Sequence, residues 1–103
     1  MPAVKTRQSG RRLLRILWVL QGHTVEGLRL KQVALAMKAP TPTVYRDLET
    51  LADEGLAERI PGREEFWRLT PKLVQLARAH DAELQRERAR LDEIDQRFTR
   101  IIT

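Results

Sequence analysis

The chain contains no cysteine, which excludes a disulfide framework, a thiolate metal site and a cysteine nucleophile. Histidine is nearly as scarce. His23 falls in a loop and His80 on a regularly spaced helical seam, so neither belongs to an acid–base or nucleophilic constellation. The neighbouring carboxylates Glu64 and Glu65, or Asp92 and Glu93, read as solvated charge, and no glycine-rich phosphate loop or metal-ligand spacing is visible. The expectation is a protein that is not an enzyme and takes no cofactor or metal. The longest apolar run, "LLRILWVL", is interrupted by Arg15 and is too short to span a bilayer. With no signal-peptide pattern at the N-terminus, the expected address is cytoplasmic and no membrane partner is expected.

A further scarcity is local. Residues 1–46 hold nine Lys or Arg and one acidic residue, Glu26; residues 47–70 reverse this with three basic and seven acidic, and the remainder holds seven and six. The net charge of +5 is therefore strongly polarised. A basic half with almost no acid is the electrostatic footprint of a nucleic-acid binder, the alternative being a basic surface that serves only solubility. A hydrophobic fraction of 42% in 103 residues suffices for one small core with an appendage.

The stretch "KAPTPTVYRDLETLADEGL" (Lys38 to Leu56) locates the end of that basic half. Pro40 disfavours helical geometry at Ala39, while Pro42 suits the first position of a helix with Thr41 as its N-cap. One helix must stop before Pro40 and another begin at Pro42, the outline of a helix-turn-helix. Upstream, Ser9 is a plausible N-cap for a first helix to about Gln21, with Leu13, Leu14, Leu17, Trp18 and Leu20 as its apolar face and Gly22 as its stop. Residues 1–8 then form a basic, flexible arm. Leu30, Val33, Ala34 and Met37 mark a short second helix. In the third, running to about Glu54, Val44, Leu48 and Leu51 share one face, and Thr43 and Arg46 lie opposite with Tyr45 on the flank. Leu56 to Ile60 and Glu65 to Leu69 read as two strands joined by a Pro-Gly turn, with Trp67 and Leu69 directed to the core. Residues 9–70 thus describe a mainly α fold, a winged helix-turn-helix of three helices plus a β-hairpin wing.

Thr70 and Pro71 repeat the cap-plus-proline device, and residues 71–103 contain no glycine and no proline beyond Pro71. The implied helix of up to about 32 residues, near 48 Å long, carries Ala77, His80, Leu84, Glu87, Leu91, Ile94, Phe98 and Ile101 at alternating spacings of three and four. This is a coiled-coil seam with two polar interruptions, and it assigns Leu84, Leu91, Ile94, Phe98 and Ile101 to homodimerisation. A parallel pair sets Glu83 against Arg88 and Arg90 against Asp95, whereas an antiparallel pair sets arginine against arginine, so parallel pairing is favoured. Folding back on its own domain is the alternative.

The run "LRLKQVALAMKAPTPTVYRDLETLADEGLAERIPGREEFWRLTPK", above all "PTPTVYRDLETLADEGL" and "WRLTPKL", resembles the N-terminal DNA-binding domain of the IclR family of bacterial transcription regulators, over roughly Arg11 to Leu76. The resemblance implies a dimeric winged helix that grips operator DNA. Three departures are visible. Lys38 stands where the family's turn usually has glycine and Pro42 where it has serine; Ala39 replaces a common leucine; and the long helix stands in place of the large effector-binding domain, so ligand sensing of the family kind is not expected.

In a helix-turn-helix the start of the second helix faces the base edges. That assigns Thr43, Tyr45 and Arg46 to DNA, with Arg46 able to read guanine or clasp a phosphate or, in a purely structural role, to pair with Glu49. Thr41 and the free amides at the helix start suit a phosphate. Lys31, Lys38, Arg11 and Arg12 are further phosphate candidates, as is Arg63 at the wing tip, although Glu64 and Glu65 oppose it. The partners expected are double-stranded DNA and a second copy of the chain. The acidic stretch after Asp47 keeps a different reading open, an adaptor or antagonist that binds another protein.

Overall fold

A computed structural model describes the backbone of residues 2–102 and the side chains of residues 8–100. Helices α2 (Leu30–Met37) and α3 (Thr41–Asp53) are separated by only Lys38, Ala39 and Pro40. Lys38 makes so short a link feasible by taking the left-handed conformation, φ 54° and ψ 44°. With the chain turned there, the Ala39 amide donates to the Ala34 carbonyl and the Lys38 amide to that of Leu35, satisfying the last carbonyls of α2. Lys38 is the only described residue other than glycine with positive φ, a conformation that glycine adopts without steric cost.

Helix α3 starts one residue earlier than its sequence suggests. Pro40, extended at φ −61° and ψ 141°, is the N-cap, and its carbonyl accepts the Val44 amide at 3.1 Å. Thr41 is therefore the first helical residue and Pro42 the second, and no side chain caps this end. The Thr41 cap expected from the sequence does not form, because Pro40, turned out of helical geometry by its ψ of 141°, holds the cap position.

Helix α1 (Pro2–Leu20) begins well before Ser9, which is helical rather than a cap, and its backbone runs through the segment expected to be an arm. The side chains of Lys5 and Arg7 in that basic cluster lie outside the described residues. The buried face also differs. Ile16 and Leu20 are fully buried, Leu13, Leu17 and Val19 pack around them, and Leu14 and Trp18 are 61% and 74% exposed. At 100° per residue the true face is rotated by about 75° from the expected one, toward Ile16 and Val19. The reason is local: "LLRILWVL" is apolar on most sides, so periodicity alone does not fix its orientation.

These helices surround one core of Ile16, Leu20, Val33, Ala34, Val44, Leu48, Leu51, Ala57 and Trp67. A three-stranded antiparallel sheet closes it, in the order β1 (Leu28–Arg29), β3 (Arg63–Leu69), β2 (Ala57–Ile60). The two-residue β1 has no legible strand signal. It pairs Leu28 with Trp67 and Arg29 with Phe66, fastening the wing to the start of α2. Gly27 precedes it at φ 72°, and a Cβ there would lie 2.7 Å from Ile60 Cδ1 and 3.0 Å from the Trp67 carbonyl. Only glycine meets both demands. Trp67 is buried as expected, while Leu69 and Phe66 are half-buried.

Helix α4 (Pro71–Ile102) opens as its sequence predicts, with the Lys72 amide donating to Thr70 Oγ1. Residues 1–72 form one unit and residues 73–103 another, the body of α4. Along that helix Leu84, Leu91, Ile94 and Phe98 are exposed, and Glu87 pairs with Arg90 one turn on. The Ile101 side chain lies outside the described residues.

Candidate nucleic-acid interface

The inward face of α3 consists of Val44, Asp47, Leu48 and Leu51. Its other face therefore presents Thr41, Arg46, Glu49 and Thr50 exposed, with Thr43 and Tyr45 half-buried beside them. The Arg46 guanidinium has no ion pair among the described residues. Its carbonyl accepts the Thr50 hydroxyl, an ordinary helical back-bond. At the start of α3 the amides of Thr41 and Thr43 lack helical acceptors, Pro42 between them has no N–H, and no acidic residue occupies the first turn. Lys31, Lys38 and Thr41 border a shallow groove between α2 and α3, floored by Ala34, Leu35 and Ala39. The side chains expected around the turn are thus brought together: two lysines and a helix N-terminus share one groove, and Arg46 stands one turn further along.

Arg11 is exposed on α1, but Arg12 is committed internally. Its Nε donates to Asp47 Oδ2 at 2.6 Å and its Nη2 to Oδ1 at 3.1 Å, a two-pronged clasp of a carboxylate whose side chain is only 11% exposed. The hydrogen bond to Asp47 raises the Arg12 pKa further above its ordinary value, burial opposes this, and charge attraction adds to it. Arg12 thereby joins α1 to the inner face of α3. Asp47 opens the acidic stretch in sequence, yet its charge is turned inward and neutralised.

The wing carries arginine–aromatic stacks that the sequence did not reveal. Arg59 on β2 lies 4.6 Å over the Trp67 ring and 5.7 Å from the Tyr45 ring, and its Nη2 donates to the Tyr45 hydroxyl at 3.1 Å. Its Nη1 donates to the Glu64 carbonyl at 3.2 Å. On the other face of the sheet, Arg63 and Arg29 approach the Phe66 ring at 4.2 and 5.0 Å. Glu64, expected to repel phosphates, accepts the Gly62 amide at the turn, and Glu58 is paired with Arg68. Arg59 and Arg29 could have been found only from the strand register, which is irregular: Glu64, Glu65 and Phe66 have no partner on β2, so Arg59 stands opposite Trp67.

Three helices around one core, a tight turn before a helix that presents Arg46 outward, and a wing fastened beside it define a winged helix-turn-helix, the architecture of DNA-binding domains. The family model of the IclR helix-turn-helix domain matches residues 11–61, which run from α1 to just past β2. This segment is an IclR helix-turn-helix domain, the DNA-binding part of a family of transcription regulators. No curated protein matches the chain. Among the described residues no helix is long and apolar enough to cross a membrane, and no group of three or more His, Asp or Glu could hold a metal ion.

Proposed function

We propose that the protein is a sequence-specific double-stranded DNA-binding transcription regulator that acts as a homodimer, with α3 in the major groove. The observation that carries this reading is the division of α3. Its inner face is tied down by three apolar residues and the Arg12–Asp47 pair, which leaves Thr41, Thr43, Tyr45 and Arg46 outward on a rigid support. Arg46 is the candidate for a guanine edge or a phosphate. Lys31, Lys38 and the Thr41 and Thr43 amides surround a position suited to a phosphate oxygen, and Arg11 and Arg63 extend the basic rim.

The exposed apolar seam of α4 supports dimerisation, since Leu84, Leu91, Ile94 and Phe98 need a partner helix to leave water. Two recognition helices one DNA turn apart, about 34 Å, favour a palindromic site. The test is selection of fragments from a genomic library by the purified chain at physiological salt with excess competitor DNA, followed by sequencing. A shared motif with two half-sites about ten base pairs apart is expected. Recovery of random fragments would refute sequence specificity, and recovery of none would refute the DNA reading in favour of a protein partner. Arg46→Ala should weaken binding to the selected site more than to random duplex; equal losses would restrict Arg46 to phosphate.

A further inference from the structure

Arg59 is an exposed cation that the DNA-binding reading leaves without a role, and its neighbours specify one. Arg59 is stacked on Trp67, with one terminal nitrogen held by the Glu64 carbonyl and the other by the Tyr45 hydroxyl. A phenol has one proton to donate and two lone pairs to accept with. Once a guanidinium occupies a lone pair, the hydroxyl proton must point elsewhere. The adjacent positive charge also discourages a second donor and polarises the O–H bond. We propose that Arg59 sets the hydrogen-bonding polarity of Tyr45, so that the recognition helix offers nucleic acid a phenolic donor, positioned by the wing.

This inference rests on the DNA-binding reading and adds a chemical selection to it. The Tyr45 hydroxyl seeks an acceptor, either a phosphate oxygen or one of the groove acceptors guanine O6 and N7, adenine N7 and thymine O4, and rejects the exocyclic amines of adenine and cytosine. Arg59 is a positioning residue in this scheme. Its side chain joins β2, β3 and α3 in one network, so the wing and the recognition helix present their contacts as a unit.

The experiment is a double-mutant cycle on the full chain, with Tyr45→Phe, Arg59→Met and the double variant titrated against the selected duplex and a random duplex of equal length at one salt concentration. Methionine keeps an apolar stem over Trp67, and melting temperatures monitor folding. Tyr45→Phe should lose about tenfold in affinity, Arg59→Met at least as much, and the double variant no more than Arg59→Met alone. Arg59→Lys, which keeps the charge without the fork, should retain the salt dependence and still lose about tenfold.

Losses that multiply in the double variant, or an unchanged affinity for Tyr45→Phe, would overturn the coupling while leaving the DNA reading intact. A wild-type chain that binds neither duplex would overturn both. A loss confined to the selected duplex assigns the acceptor to a base, and an equal loss on both assigns it to a phosphate; either supports the donor role.

Discussion

Replacing Arg12 by methionine is the most direct probe of how the recognition helix is held. The change keeps much of the apolar stem and removes the fork that grips Asp47. Asp47 is 8% exposed as a residue, and its carboxylate would be left without its cation. Breaking a fully buried pair costs about 3–5 kcal/mol, whereas an exposed pair is worth about 0–1 kcal/mol. The Arg12 side chain is 28% exposed, so water can reach part of the vacated space, and a loss of about 2 kcal/mol is expected between those limits. For a domain of this size that lowers the melting temperature by about 10 °C. Circular dichroism melts at one protein concentration measure it, the concentration being fixed because a dimer's melting point depends on it. Arg12→Met with Asp47→Leu removes both charges and should recover stability to within about 1 kcal/mol of wild type.

The sign of the pH dependence follows from the raised pKa of Arg12. A cation whose folded pKa exceeds its unfolded value contributes fully at all lower pH and loses that contribution only as pH rises through the strongly alkaline arginine range. The difference between wild type and Arg12→Met should therefore be constant from neutral pH to about pH 10. An unchanged melting temperature together with a weaker, less salt-dependent grip on DNA would refute the reasoning and return Arg12 to the phosphate ligands.

Lys38→Gly should relieve the left-handed strain, about 1–2 kcal/mol, against about 0.5–1 kcal/mol of added chain entropy. The melting temperature should rise by a few degrees while the salt slope of DNA binding falls by about one counterion, both measurable on the same preparation. Gly27→Ala meets Ile60 and the Trp67 carbonyl as well as positive φ and should lower stability in urea by about 2–3 kcal/mol. Gly22→Ala, at φ 82° with nothing within 4 Å, should cost only about 1 kcal/mol; equal losses would show that crowding at Gly27 is irrelevant. Leu91→Asp should convert the chain from dimer to monomer in analytical ultracentrifugation, and an unchanged mass would remove α4 as the dimerisation element.

The order of helices, turn, hairpin and long helix was legible because each boundary carries its own chemistry: Pro40 and Pro42 at the turn, Gly55 after α3, Pro61 and Gly62 at the wing, Thr70 and Pro71 before α4. The outward residues of α3 were legible too, since Val44, Leu48 and Leu51 fix which side is inside. What escaped depends on partners distant in sequence. Asp47 looks like surface charge until Arg12, 35 residues earlier, is brought against it. A regular hairpin closed by Pro61 and Gly62 would set Arg59 opposite Glu64, and only the three unpaired residues of β3 move it over Trp67. Strand β1 is two residues long and exists because β3 offers an edge there.

The unequal burial of the two tryptophans has an optical consequence. Trp18 is 74% exposed on α1, and Trp67 is 3% exposed beneath Arg59. Emission from the first should be quenched readily by iodide and that from the second shielded, so one spectrum contains two separable signals. The natural sequence thus carries its own reporters, one on the outer side of the first helix and one under the wing, and their response to duplex DNA can be followed without attaching a dye.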